Sequence, residues 1–123
     1  MSLYVDGFVI PIAADKLPEY QAMAEKASKV WMEHGALDYR ECVADDTEAK
    51  EMVSFPTLAG VKEGETVVLA YIVYRSRQHR DEVNAKVMAD PRMQEMCPAA
   101  GGGEPPFDYK RMAYGGFKTI VGA

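Results

Sequence analysis

The sequence is poor in the residues that staple or metallate a small domain. Its 123 residues hold two cysteines, Cys42 and Cys97, and two histidines, His34 and His79. They form neither a CxxC pair nor a spaced Cys/His set, so a structural metal site has no support. Thiols so placed suggest a reducing, cytoplasmic setting. Long apolar runs are missing too. The longest, Val67 to Tyr74, is far short of the roughly 20 residues a membrane span needs. The first basic residue is Lys16, so no charged segment precedes a secretory core. Positive charge is scarce, with 14 Lys+Arg against 19 Asp+Glu and a net charge of -5. A surface of that sign repels phosphate backbones and argues against nucleic acid as a partner. There is no P-loop, and Gly101 to Gly103 lack the strand–glycine–helix context of a dinucleotide site.

What is present is globular: 48% apolar and 27% charged residues, enough for one domain over residues 1–123 that buries a core without staples. Leu3 to Ile12 reads as a first strand. Asp15 offers an N-cap and Pro18 falls in the first turn of a helix, whose stripe Leu17, Tyr20, Met23, Ala24, Ala27, Val30, Trp31 has a period near 3.6. Gly35 supplies its left-handed end. A second strand covers Leu37 to Ala44, with Leu37, Tyr39, Glu41 and Val43 on one face. An acidic loop follows, then Ser54-Phe55-Pro56, a turn at Gly64, and a third strand from Thr66 to Tyr74. Ser76 caps a second helix that runs to Ala89, and Pro91 starts a short turn through Met93 and Met96. A last strand from about Tyr109 to Val121 carries a bulge at Gly115-Gly116. The order β-α-β-β-α-β predicts an α+β, ferredoxin-like fold: a four-stranded antiparallel sheet with two helices on one face.

The strands also ask for a partner. In the third strand Val67, Leu69, Tyr71 and Val73 alternate with Val68, Ala70, Ile72 and Tyr74, so both faces are apolar. The first strand behaves similarly, with Tyr4, Phe8, Ile10 and Ile12 opposite Val5 and Val9. Two helices cover only one face, and the other would leave a patch larger than soluble monomers usually expose. A homodimer packed sheet to sheet is the expected solution; the competing one is a loop, residues 45–65 or 98–108, folded across the sheet.

Several long segments resemble one known family. They include Tyr4-Val5-Asp6-Gly7-Phe8-Val9, Trp31-Met32-Glu33-His34-Gly35-Ala36-Leu37, Glu41-Cys42-Val43-Ala44-Asp45-Asp46 and Ser54-Phe55-Pro56. Ile72-Val73-Tyr74-Arg75-Ser76-Arg77, Val83-Asn84-Ala85-Lys86-Val87-Met88 and Pro106-Phe107-Asp108 continue the likeness. Nearly the whole chain is thus similar to the bacterial YbaA-like family, an uncharacterised domain of unknown function (1428). The resemblance implies a branch of the dimeric α+β barrel superfamily, whose members include cofactor-free monooxygenases, lactone isomerases, haem-degrading enzymes and stress-related binding proteins. It assigns no catalytic residue to this chain.

The barrel resemblance directs attention to the cleft between sheet and helices. His34 and Tyr39 are the candidate catalytic pair, a base near neutral pKa and a tyrosine to orient or donate a proton. Against this, a cationic His at a helix C-terminus is favoured by the macrodipole alone. Trp31, Tyr71, Arg75 and His79 complete the candidate ligand-binding set. Arg75, Arg77 and Arg80 at a helix start, with Asn84 one turn on, can hold an anion, and the helical repeat puts Arg80 and Asn84 beside Val83 and Val87 toward the buried side. Pairing with nearby carboxylates such as Asp81 is the favoured account of the charges. His79 invites a haem hypothesis, which the absence of the relatives' first-strand asparagine weakens; no cofactor is expected. Cys42 reads as a buried, inert thiol, and the methionines as core filling. The resulting expectation is a cytoplasmic homodimer that binds, or transforms without a cofactor, a small aromatic or apolar metabolite. Its rival is a non-enzymatic stress or protein-interaction dimer.

Overall fold

The 3.6-residue stripe becomes helix α1 (Leu17–Glu33), entered through a 3-10 turn at Ala14–Lys16 rather than from an Asp15 cap. A computed structural model describes residues 2–96 and 105–122. Around α1 the chain builds β1 (Tyr4–Ala13), β2 (Asp38–Val43), a short helix α2 (Phe55–Ala59), β3 (Glu65–Tyr74), α3 (Arg77–Ala89), α4 (Pro91–Met96) and β4 (Ala113–Lys118). Gly35 ends α1 at φ 115°, a left-handed conformation that a Cβ would strain. The Ser76 hydroxyl accepts the His79 N–H and caps α3.

All strand pairs are antiparallel, in the order β2-β3-β1-β4. The two long apolar strands are therefore central. Register puts Tyr4, Asp6, Phe8, Ile10 and Ile12 on the face shared by Val68, Ala70, Ile72 and Tyr74 of β3 and by Tyr39, Glu41 and Val43 of β2. Tyr114 and Gly116 of β4 join them. This face lies under α1 and α3. One core cluster gathers Ile10, Ile12, Tyr20, Ala24, Val68 and Ala70, and a second gathers Val30, Ala36, Ile72, Tyr74, Val83 and Val87; Phe8 packs against both.

The other face carries Val5, Val9, Pro11, Val67, Leu69, Tyr71, Val73 and Phe117. Part of the 45–65 segment does fold onto it. The Ser54 side chain caps α2, which packs on β1 and β3, and Pro11 and Val67 at that end are buried. The middle stays open, with Leu69 44% and Phe117 63% exposed.

Three expectations need correction. β4 is shorter than Tyr109 to Val121, because Tyr109–Arg111 forms a 3-10 turn. Its glycines pair in regular register without a bulge. Gly116 instead lies beneath the Tyr4 side chain: an added Cβ would come within 2.3 Å of the Tyr4 hydroxyl, so that ring would have to shift to admit it. Cys42 is exposed rather than buried, since even-numbered β2 residues point away from the helices. Cys97 and the glycine run at 101–103 lie outside the described residues.

Candidate functional site

Between the sheet and α1, α3 and α4 the side chains do not close. A cavity of about 650 Å³ remains, well within the range of small-molecule sites. Ala70 and Ile72 form its floor, Ala24, Ala27 and Trp31 its helical wall, and Phe107 and Tyr109 reach it from the segment before β4. Five methionines, Met23, Met88, Met93, Met96 and Met112, line it as well. Such side chains adapt their shape to an apolar guest. The methionines thus border space, not only packed core.

Polar groups gather in two corners. In the first, Asp6 is 1% exposed and its Oδ1 accepts from Arg80 Nη1 at 2.7 Å. The same guanidinium donates to the Tyr114 hydroxyl at 3.0 Å and, through Nε, to Asp81 at 2.7 Å. Burial raises the Asp6 pKa, while the Arg80 charge and hydrogen bonds from Tyr114, Arg80 and Asn84 oppose that rise. Next to it, Trp31 Nε1 donates to the Tyr74 hydroxyl (3.1 Å) and to Asn84 Oδ1 (3.3 Å), and Tyr74 donates to the same Oδ1 (3.2 Å). This corner is a hydrogen-bond network in which the buried Asp6 carboxylate has its cation.

The second corner is built differently. Glu41 on β2 accepts from Tyr20 at 2.6 Å through Oε1 and from Tyr39 at 2.7 Å through Oε2. Burial, then the neighbouring Glu41 charge, pushes both tyrosine hydroxyls well above their ordinary pKa, so they stay protonated donors. Among the described residues no cation pairs with Glu41. Glu41 also borders a smaller opening of about 420 Å³ between α1 and β2, lined by Gln21, Glu25, Ser28 and Cys42 among others. Two strand spacings, roughly 10 Å, separate the Glu41 strand from that of Asp6.

Of the residues singled out from the sequence, Trp31 and Tyr39 line the cavity, their rings 5.9 Å apart. The others lie elsewhere. His34 ends α1 with Nε2 2.9 Å from Asp90, which also receives Arg92. The hydrogen bonds from Arg92 and His34 hold the Asp90 carboxyl below the usual range. His34 therefore ties α1 to the α3–α4 corner, and the structure does not bring it into the cavity with Tyr39. Arg75 is exposed, and Tyr71 is on the opposite face of the sheet. His79 is buried outside the cavity: its Nδ1 accepts the Arg75 N–H at 3.0 Å, and the Gly35 backbone engages the ring as well. With its ring so committed it is not placed to ligate a haem iron. Among the described residues no group of three or more His, Cys, Asp or Glu is arranged for a metal. Nor is any described helix long and apolar enough to cross a membrane.

Asn84 lines the cavity on the inward face of α3 that the helical repeat assigns to it and Arg80, whereas Asp6, Tyr20 and Glu41 were not picked out as site residues from the sequence. A signal existed for two of them. Asp6 has the parity of Tyr4, Phe8 and Ile10, and Glu41 that of Tyr39 and Val43. Each is thus a carboxylate on the inward face of a strand, where burial demands partners.

Residues 3–109 match the family described as "Protein of unknown function (DUF1428)". Over 118 residues the chain is 44% identical to "Uncharacterized protein YbaA" of Escherichia coli (strain K12), covering 96% of this chain and 97% of that one. The same figures hold for YbaA of Shigella flexneri. Among solved structures it is similar to an uncharacterized NIPSNAP domain protein from Burkholderia xenovorans, with a TM-score of 0.53 and 14% identity over 98% of this chain and 94% of that one. That likeness concerns the fold alone, an α+β arrangement. A match of such extent at 44% identity makes one assignment: the chain belongs to the YbaA-like DUF1428 family.

Proposed function

We propose that this protein is a small homodimer that binds an apolar or aromatic small molecule in the cavity between sheet and helices. Any reaction there would run on the chain's own side chains, without a cofactor. The observation that carries the reading is the cavity itself, about 650 Å³ with a largely apolar lining and hydrogen-bonding groups gathered mainly in two corners. Trp31 and Tyr39 are its ring contacts. The strand order suits a ferredoxin-like unit, two of which would meet through their open faces in a dimeric α+β barrel. Exposed Leu69 and Phe117 beside half-buried Val5, Val9, Tyr71 and Val73 support that second part. Exposed Cys42 at the sheet edge suits a reducing cytoplasm.

Trp31 is the only tryptophan, so its emission reports on the cavity directly. A panel of aromatic alcohols, amines, acids, quinones, lactones and haem should contain a compound that shifts this emission and raises the melting temperature. A ligand at a hundred times its dissociation constant adds about 2.7 kcal/mol. A dimer that answers none of them by either readout would overturn the ligand reading and favour the protein-interaction alternative.

A further inference from the structure

The two corners of the cavity differ in charge, and that difference bears on what can enter. In the Asp6 corner the buried carboxylate is offset by the Arg80 guanidinium, which also reaches the solvent-exposed Asp81 and the Tyr114 hydroxyl. The Glu41 corner carries a carboxylate with hydroxyl donors and no cation. Among the described residues, neither the main cavity nor the opening between α1 and β2 has a lysine, arginine or histidine in its lining, while Glu41 borders both and Glu25 borders the second. A carboxylate has about four acceptor sites. Tyr20 and Tyr39 each take one at Glu41.

An anionic guest would meet carboxylates with no free positive group to offset them. A cationic guest meets the reverse. Its N–H groups find the remaining acceptor sites of Glu41, in a charge-assisted hydrogen bond, and the aromatic rings of Tyr20, Trp31 and Tyr39 line the same cavity. The apolar floor of Ala70 and Ile72 and the methionine wall then hold the rest of the molecule.

We infer that the cavity selects a hydrophobic amine, with the ammonium group seated at Glu41 and an aromatic or branched apolar body over Ala70 and Ile72. The inference rests on the reading of the cavity as a ligand site and adds the class of ligand. It also makes Glu41, with Tyr20 and Tyr39, the specificity-determining group.

Calorimetric titration at pH 7 of the intact protein with three matched compounds tests it: 2-(1-naphthyl)ethylamine, 2-(1-naphthyl)ethanol and 1-naphthylacetate. The amine should bind at least about tenfold tighter than the alcohol, and the carboxylate should bind weakest. In Glu41→Gln the amine should fall to within about threefold of the alcohol, whose own affinity changes little. If the carboxylate binds as tightly as the amine, the charge inference fails while the cavity reading stands. If none of the three binds, both fail. An amine preference that survives in folded Glu41→Gln overturns the role of Glu41. Should that variant melt below the titration temperature, the ranking in the unaltered protein is the deciding readout.

Discussion

Along β3, Val68, Ala70, Ile72 and Tyr74 point toward α1 and α3 and are all buried, whereas Leu69, Tyr71 and Val73 between them are not. The two faces are about equally apolar in sequence, so the apolar count alone does not say what a face is for. What separates them is the company of polar groups. The covered face carries Asp6, Tyr39, Glu41, Tyr74 and Tyr114, each hydrogen-bonded to another side chain. The open face is apolar at its centre, and Asp38 and Arg40 pair with each other at its β2 edge. Buried polar groups in a satisfied network suit a site with a defined guest. A plain apolar centre with charges at the rim suits contact with another protein surface.

The largest expected effect comes from breaking the matched corner. Arg80→Ala leaves Asp6 buried without its cation and should cost about 3–5 kcal/mol of stability. Glu41→Gln, which removes no counter-ion, should cost roughly 1 kcal/mol or less. Urea unfolding of both variants makes the comparison, and equal losses would erase the distinction between the corners.

The open face is tested next. Leu69→Lys places an ammonium in the middle of the proposed interface without touching the cavity, so sedimentation velocity should show the mass halved relative to the unaltered protein. A variant that sediments like its parent would place the contact elsewhere.

A smaller effect separates His79 from the cavity groups. Burial, and then the Arg75 charge, lower its pKa from the ordinary 6.5. Between 6.5 and that lowered value the unfolded chain binds a proton that the folded chain refuses. Stability is therefore complete above pH 6.5 and declines as the pH falls through this window. Melting curves between pH 7.5 and 5 should show the decline in the parent protein and a shallower one in His79→Gln.

Much of this arrangement was legible in the sequence, because its signals are periodic or local. The α1 stripe, the Gly35 and Ser76 caps and the two-faced β3 each follow from short-range pattern. The candidate site was less so. Trp31 and Tyr39 were found, as aromatic residues at the helix end and on the next strand. Asn84 was placed with Arg80 toward the buried side by the helical repeat, but Asp6, Tyr20 and Glu41 were not found, since their significance lies in pairings across 21 and 74 residues of chain. His34 shows the converse: a histidine beside a tryptophan suggested chemistry, but Asp90, 56 residues away, sets what it does. The short α2 was concealed for a different reason. Ser54 and Pro56 mark a helix start, but five residues carry no periodicity to read.

The central claim is that the space under α1 and α3 receives a small apolar guest. Among the described residues five methionines line that space, while Met32 and Met52 lie outside it. With methyl-13C methionine, titration of 2-(1-naphthyl)ethylamine should move the methyl resonances of Met23, Met88, Met93, Met96 and Met112 and leave those of Met32 and Met52 in place. Saturable shifts confined to Met32 or Met52, or five cavity methyls that stay still while the compound binds, would contradict the account.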